Sequence, residues 1–195
     1  MGTSHSDSSN ILVKQLWEWC IDRRIWVSAA HIPGRDNIIA DFESRRNEKA
    51  SEWMLDSESL AQALKTLEYK PNIDLFASRI NKQCDNYVSY RPDPQASAID
   101  AFSLIWSDQM FYAFPPLSII GNVLKKIKEE KARGVCVLPN WPTQQWYPKA
   151  LAMMEKPAVH LKASKTLLKL PSHPDEIHPI FKRLSLMVCP LSGKI

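Results

Sequence analysis

The stretch SIIGNVLKKIKEEKARGVCVL, Ser118 to Leu138, limits the fold more than any other part of the chain. Ile119, Ile120, Val123, Leu124 and Ile127 recur at three- and four-residue intervals. Lys125, Lys126, Lys128, Glu129 and Glu130 fall mostly outside that stripe, so the segment reads as a helix packed along one broad face. Ser118 is placed to cap its start and Gly134 to end it. VCVL, Val135 to Leu138, then runs apolar without alternation, as a strand covered on both faces does. A packed helix feeding a doubly covered strand implies a layered α/β fold with a parallel sheet.

The surrounding chain repeats the alternation. IDLFAS begins a short strand at Ile73 with Asp74 where it passes into a loop, and a Pro-containing loop spans Tyr90 to Pro94. AIDAFSLIW follows, and then MFYAFPPLS, a strand ending in Pro115-Pro116. A helix is expected around Trp146, Ala150, Leu151 and Met154, and AVHL makes the last strand. The expected α/β unit is therefore 73–161. Residues 46–72 read as a helical connector, with Asp56 or Ser57 as cap and Leu60, Ala63, Leu64 and Leu67 at helical spacing. Residues 162–195 read as a basic tail or linker. They carry six Lys or Arg against two Asp or Glu, whereas 1–50 balance at seven each and 51–161 at twelve each. All of the net charge of +4 is thus in that segment, which argues against a dedicated nucleic-acid module without excluding a basic groove formed by shape.

The N-terminal segment has its own pattern. A helix with Leu12, Leu16 and Trp19 inward precedes a strand, Trp26 to Ile32, then Pro33-Gly34 and a short helix carrying Ile38, Ile39 and Phe42. Asp41 lies at the edge of that apolar stripe, and His31 lies at the far end of the strand. One carboxylate does not make a two-metal phosphodiesterase site, and neither Asp7 nor Asp22 is placed to supply the others.

The order LVKQLWEWC, then RRIWVSAAHIPGRDNIIADFESR, resembles the last helix-strand-helix portion of the ribonuclease H domain of reverse transcriptases in tyrosine-recombinase (DIRS-like) retroelements. The resemblance implies that 1–45 is the C-terminal part of that domain. His31 would be its mobile loop histidine and Asp41 its last metal-binding carboxylate, for Mg2+ held together with carboxylates of an upstream segment. The implied partners are that upstream reverse transcriptase/ribonuclease H segment and an RNA–DNA hybrid. IDLFAS, DAFSLIW, MFYAFPPLS, KKIKEE and VCVLPNWPTQQW are similar to the adenine-N6 methyltransferase-type domain that follows ribonuclease H in the same elements. The implied fold class is α/β: a partial ribonuclease H-like helix-strand-helix followed by a small, mostly parallel-sheet Rossmann-like domain. Asp74 would be the cofactor-side acid, with Asn81 nearby. In working members the double proline is preceded by Asn or Asp and followed by an aromatic residue, one to accept from the target amine and one to stack on the flipped base. Here Phe114 precedes Pro115 and Leu117 follows Pro116, and neither side chain does that work. A Gly-rich cofactor turn is missing as well, so S-adenosylmethionine is not expected to bind, and no cofactor is expected for this chain alone.

Trp141, Trp146 and Tyr147 sit beside Pro139, Pro142 and Pro148 at the expected C-terminal edge of the sheet, where rings either stack on bases or seal the sheet. Four dispersed cysteines without a CxxC pair suit buried thiols of an intracellular protein. No apolar run reaches the roughly 18 residues that cross a bilayer, so no membrane partner is expected. Three function classes follow: a catalytically inactive piece of a retroelement polyprotein, a domesticated nucleic-acid- or protein-interaction module, and an active adenine methyltransferase.

Overall fold

The computed structural model describes residues 7–26 and 53–194. The chain divides into two compact units, Met1–Arg46 and Asn47–Ile195. In the first, α1 (Asp7–Asp22) carries Leu16 and Trp19, the expected inward positions, more than 45% exposed. Cys20, on the same helix, is buried. Arg23 closes the C-terminal turn by lying 4.4 Å over the Trp19 ring and donating to the Trp19 carbonyl at 3.4 Å. His31, Asp41 and the expected helix around Ile38 lie outside the described residues.

The second unit holds two strand groups. Its strands are β1 (Met54–Leu55), β2 (Ile73–Asp74), β3 (Asn86–Ser89), β4 (Ala98–Ile99), β5 (Met110–Ala113), β6 (Arg133–Pro139), β7 (Val159–Leu161), β8 (Leu168–Lys169) and β9 (Leu186–Ser192), with α2 (Ser57–Leu67) after β1, α3 (Ile120–Glu129) after β5 and α4 (Tyr147–Ala152) after β6. Seven strands form one sheet in the order β4-β3-β2-β5-β6-β9-β7, while β1 and β8 pair separately. The four junctions from β4 to β6 are parallel, and β9 is antiparallel to both β6 and β7. The fold is mixed α/β with a largely parallel sheet.

Side chains alternate along β6 as a doubly covered strand requires. Cys136 and Leu138 join a core with Val123, Leu124 and Ile127 of α3, whereas Val135 and Val137 join a second core with Leu60, Ala63 and Leu67 of α2. Residues 57–67 are therefore not a connector but the layer that covers one face of the sheet. Asp56 caps α2 as expected, accepting from Ser59 N–H at 2.9 Å, and Lys169 holds the same carboxylate at 2.5 Å and keeps its pKa below the usual range. Glu68 ends the helix in the left-handed region at φ 59°, where Lys156 donates both to its carboxylate and to the Leu67 carbonyl.

The expected tail, 162–195, is likewise part of the domain. β9 inserts between β6 and β7, with Met187, Cys189 and Leu191 in one core and Leu186 and Val188 in the other. Gly193 N–H donates to Ala132 O and Asn140 N–H to Ser185 O, both at 2.9 Å, and this fixes which pairs of the ladder exchange hydrogen bonds. Pro190, opposite Val135, falls on a pair that exchanges none, so its missing N–H costs the ladder nothing.

Two smaller expectations change as well. Ser118 makes no capping bond; it lies in a 3-10 turn, Leu117–Ile119, that leads into α3. Lys131 at φ 52°, not Gly134, turns the chain after the helix. Gly134 sits inside β6, where a Cβ would come within 2.5 Å of the Phe111 ring.

Candidate functional site

Strand order reverses direction between β2 and β5: β3 and β4 lie on one side, β6 on the other. In an open α/β sheet the crevice outside the carboxyl ends of the strands at such a reversal is where ligands bind. Asp74 closes β2, and Phe114-Pro115-Pro116-Leu117 leaves β5 next to it, so the fold brings together the acid and the double-proline segment that the sequence singled out.

The chain's own groups use that crevice. Asp74 is 2% exposed, and its two oxygens accept from Phe76 N–H at 3.2 Å and Gln83 N–H at 3.0 Å. Gln83 in turn donates to the Leu55 carbonyl at 2.6 Å and accepts from Ser57 Oγ at 3.2 Å. The carboxylate therefore clasps the loop after its own strand and, through Gln83, ties that loop to β1 and the start of α2. Burial pushes its pKa up to about 7 against the opposing pull of the two N–H donors. Asn81 is also committed locally, accepting from Ser78 N–H at 2.7 Å. Beside Asp74 on the next strand, the buried Tyr112 hydroxyl has no hydrogen-bond partner among the described residues, and burial followed by the Asp74 charge raises its pKa. Cys84 is pushed up to about 12 by burial, then by Asp74 and Asp85, so it is a thiol and not a nucleophile.

On the α3 side of the sheet a set of rings packs together within the core. Phe76, immediately beyond Asp74, meets Phe102 at 5.9 Å and Trp106 at 6.2 Å between centroids, and Trp106 meets Phe111 at 5.4 Å. Trp106 is wholly buried; its indole N–H donates to Ala101 O at 2.8 Å and its backbone N–H to Glu130 at 2.6 Å. Phe114 packs against the α2-side core and Leu117 against the α3-side core, so the residues flanking the double proline serve opposite layers of the sheet. With both Asp74 oxygens taken by its own loop and no glycine in residues 75–83, these residues do not fit S-adenosylmethionine.

Trp141, Trp146 and Tyr147 are half-buried and do not form one platform. Trp141 packs on the α2 side, whereas Trp146 and Tyr147 pack on the α3 side 6.0 Å apart. Tyr147 Oη donates to Asn140 Oδ1 at 2.8 Å. A shallow cleft of about 310 Å³ runs along α3 beside Phe102, but its charges pair with each other: Lys125 with Glu129 at 3.7 Å and Lys126 with Glu130 at 2.5 Å. Among the described residues no group of three His, Cys, Asp or Glu converges as a metal site, and no helix is long and apolar enough to cross a membrane.

A clasp at the opposite, amino end of the sheet was not visible in the sequence. Glu155 accepts from Tyr69 Oη and from Arg133 Nε, the latter at 2.6 Å, and Arg133 lies 5.2 Å over the Tyr69 ring. The three residues are 86 and 22 positions apart, beyond any local spacing rule. No protein-family model matches the chain, and no curated protein matches it.

Proposed function

We propose that this chain is the terminal part of a ribonuclease H-type domain joined to a methyltransferase-like α/β domain, both from a tyrosine-recombinase retroelement polyprotein, and that the α/β domain is a scaffold without chemistry. Counted along the chain, the five parallel strands stand in the order 3-2-1-4-5, which supports the Rossmann-like reading. Asp74 and the double-proline segment flank its reversal, and their adjacency supports the methyltransferase-like reading. The observation that carries the inactive reading is how those groups are used: Asp74 is bound by Phe76 and Gln83, and Phe114 and Leu117, both half-buried, pack against the two cores. In the ribonuclease H part, Asp41 would contribute one carboxylate to Mg2+, with the others and the RNA–DNA hybrid contacts supplied by the upstream segment. The domain would act inside the cell as part of that larger polypeptide.

Calorimetry with S-adenosylmethionine tests the scaffold reading, with no saturable heat expected at millimolar ligand. Transfer of labelled methyl to DNA or RNA by the unmodified chain would overturn it. A matching assay concerns the first unit: the chain alone is expected to leave an RNA–DNA hybrid uncut, and magnesium-dependent cleavage lost in Asp41→Asn would refute the incomplete-site reading.

A further inference from the structure

Ser185 is the meeting point of three segments that the sequence separates widely. Its carbonyl accepts from Asn140 N–H at 2.9 Å, and its hydroxyl donates to Leu161 O at 3.2 Å. Trp141 follows Asn140, Lys162 follows Leu161, and Arg183 stands two residues before Ser185 in the 3-10 turn Phe181–Arg183, next to Lys182. Beyond the last β7–β9 pair, Leu161 with Leu186, the register carries Lys162 alongside Ser185. Lys162, Lys165, Lys182 and Arg183 are all exposed, and none pairs with a described acid. Lys169, by contrast, is spent on Asp56. Asp175 and Glu176 are the only acids in the whole stretch from Lys162 to Lys194. Lys162, Lys182 and Arg183 are therefore gathered at one corner of the sheet, where β6, β9 and β7 meet beside the half-buried Trp141, and Lys165 follows three residues after Lys162.

We propose that this corner binds single-stranded nucleic acid, the four cations contacting phosphates and Trp141 offering a ring edge or face to a base. A flexible polyanion with exposed bases fits both halves of the surface, whereas an anionic lipid layer uses the charges and leaves the ring without a role. The surface gives the non-catalytic domain a ligand and so rests on the scaffold reading. Methyl-donor calorimetry tests that reading, and oligonucleotide binding tests this one, so the two fail separately.

The experiment is fluorescence anisotropy of the full chain with a labelled single-stranded oligonucleotide over a salt series. Four phosphate contacts predict a slope of log affinity against log salt of about −3. Joint replacement of Lys162, Lys165, Lys182 and Arg183 by Ala should reduce affinity at least about tenfold and bring the slope toward zero. The same number of changes on the outer face of α3, Lys125→Ala with Lys128→Ala and the exposed Glu129→Gln and Asn122→Ala, should leave both nearly unchanged. These side chains are exposed, and unaltered thermal unfolding would show that each variant is folded. Photocrosslinking with bromouridine-substituted RNA should label the peptide containing Trp141. Equal binding by the quadruple variant, crosslinks confined to other peptides, or binding to anionic vesicles with none to the oligonucleotide would each overturn the proposal.

Discussion

Asp74, at the carboxyl end of β2, accepts from the backbone N–H groups of Phe76 and Gln83 and so holds the loop that follows its strand. Aspartate at the carboxyl end of a first parallel strand reads as a ligand contact, yet here it is the anchor of residues 75–83, and its cost is a buried charge. Its folded pKa of about 7 lies above the unfolded value of 3.8, so between those limits the folded chain holds a proton that the unfolded chain releases. Stability from this group is fully present below the unfolded value and is lost as pH rises through about 7. Asp56, Glu68, Glu130 and Glu155 have lowered values and act in the opposite sense, losing their contribution as pH falls below the ordinary carboxylate range. The α/β unit should therefore be more resistant to urea near about pH 5 than near about pH 8, and Asp74→Asn should flatten that difference. An unchanged slope in the variant would assign the dependence elsewhere. At Gly134 the argument is steric: Gly134→Ala forces a methyl against the Phe111 ring, 2.5 Å away inside a full core. A loss of about 1–3 kcal/mol in a denaturant titration is expected.

Among the elements, legibility followed local pattern. α3 and β6 were readable because an apolar stripe at helical spacing and an unbroken apolar run each carry their burial in consecutive residues. β2, β5, β7 and α4 fell within the expected stretches, and so did the Asp56 cap. α2 was seen as a helix but not as a layer, because Leu60, Ala63 and Leu67 state that one face is buried and do not say against what. Leu60→Ala or Leu67→Ala should each cost about 2–5 kcal/mol, as core truncations do, where the same change in a solvated linker would cost little. The two cysteines that face each other across β6 and β9, Cys136 and Cys189, occupy a pair that exchanges backbone hydrogen bonds. Both are buried free thiols, and burial raises the pKa of each. Asp74 and the double-proline segment were each legible, and their adjacency followed from strand order; the tying-up of the carboxylate did not, since it depends on Gln83, nine residues further along the chain.

At the scale of the molecule, the largest difference between sequence and structure is the last thirty-four residues. Their lysines and prolines suggested a linker, and the apolar run LMVCPL near the end was masked by Pro190, which reads as a strand breaker until the hydrogen-bond phase of β9 is known. β9 is the longest partner of β6 and the only partner of β7 in the sheet. Without it β6 becomes an edge with seven residues of unpaired backbone, β7 loses all its pairing, and both cores lose side chains at once: Met187, Cys189 and Leu191 from one, Leu186 and Val188 from the other. β8 leaves with the same segment, so β1 is unpaired too, and the carboxylate of Asp56 loses Lys169. A chain ending at Leu161 should therefore show no cooperative unfolding transition for the α/β unit and should aggregate through the exposed β6 edge. Adding a separate peptide covering 162–195 should restore the transition in proportion to its concentration, because the missing strand docks on both layers. If the shortened chain instead melted cooperatively at the temperature of the full one, residues 162–195 would be an appendage and the seven-stranded sheet would be incorrect.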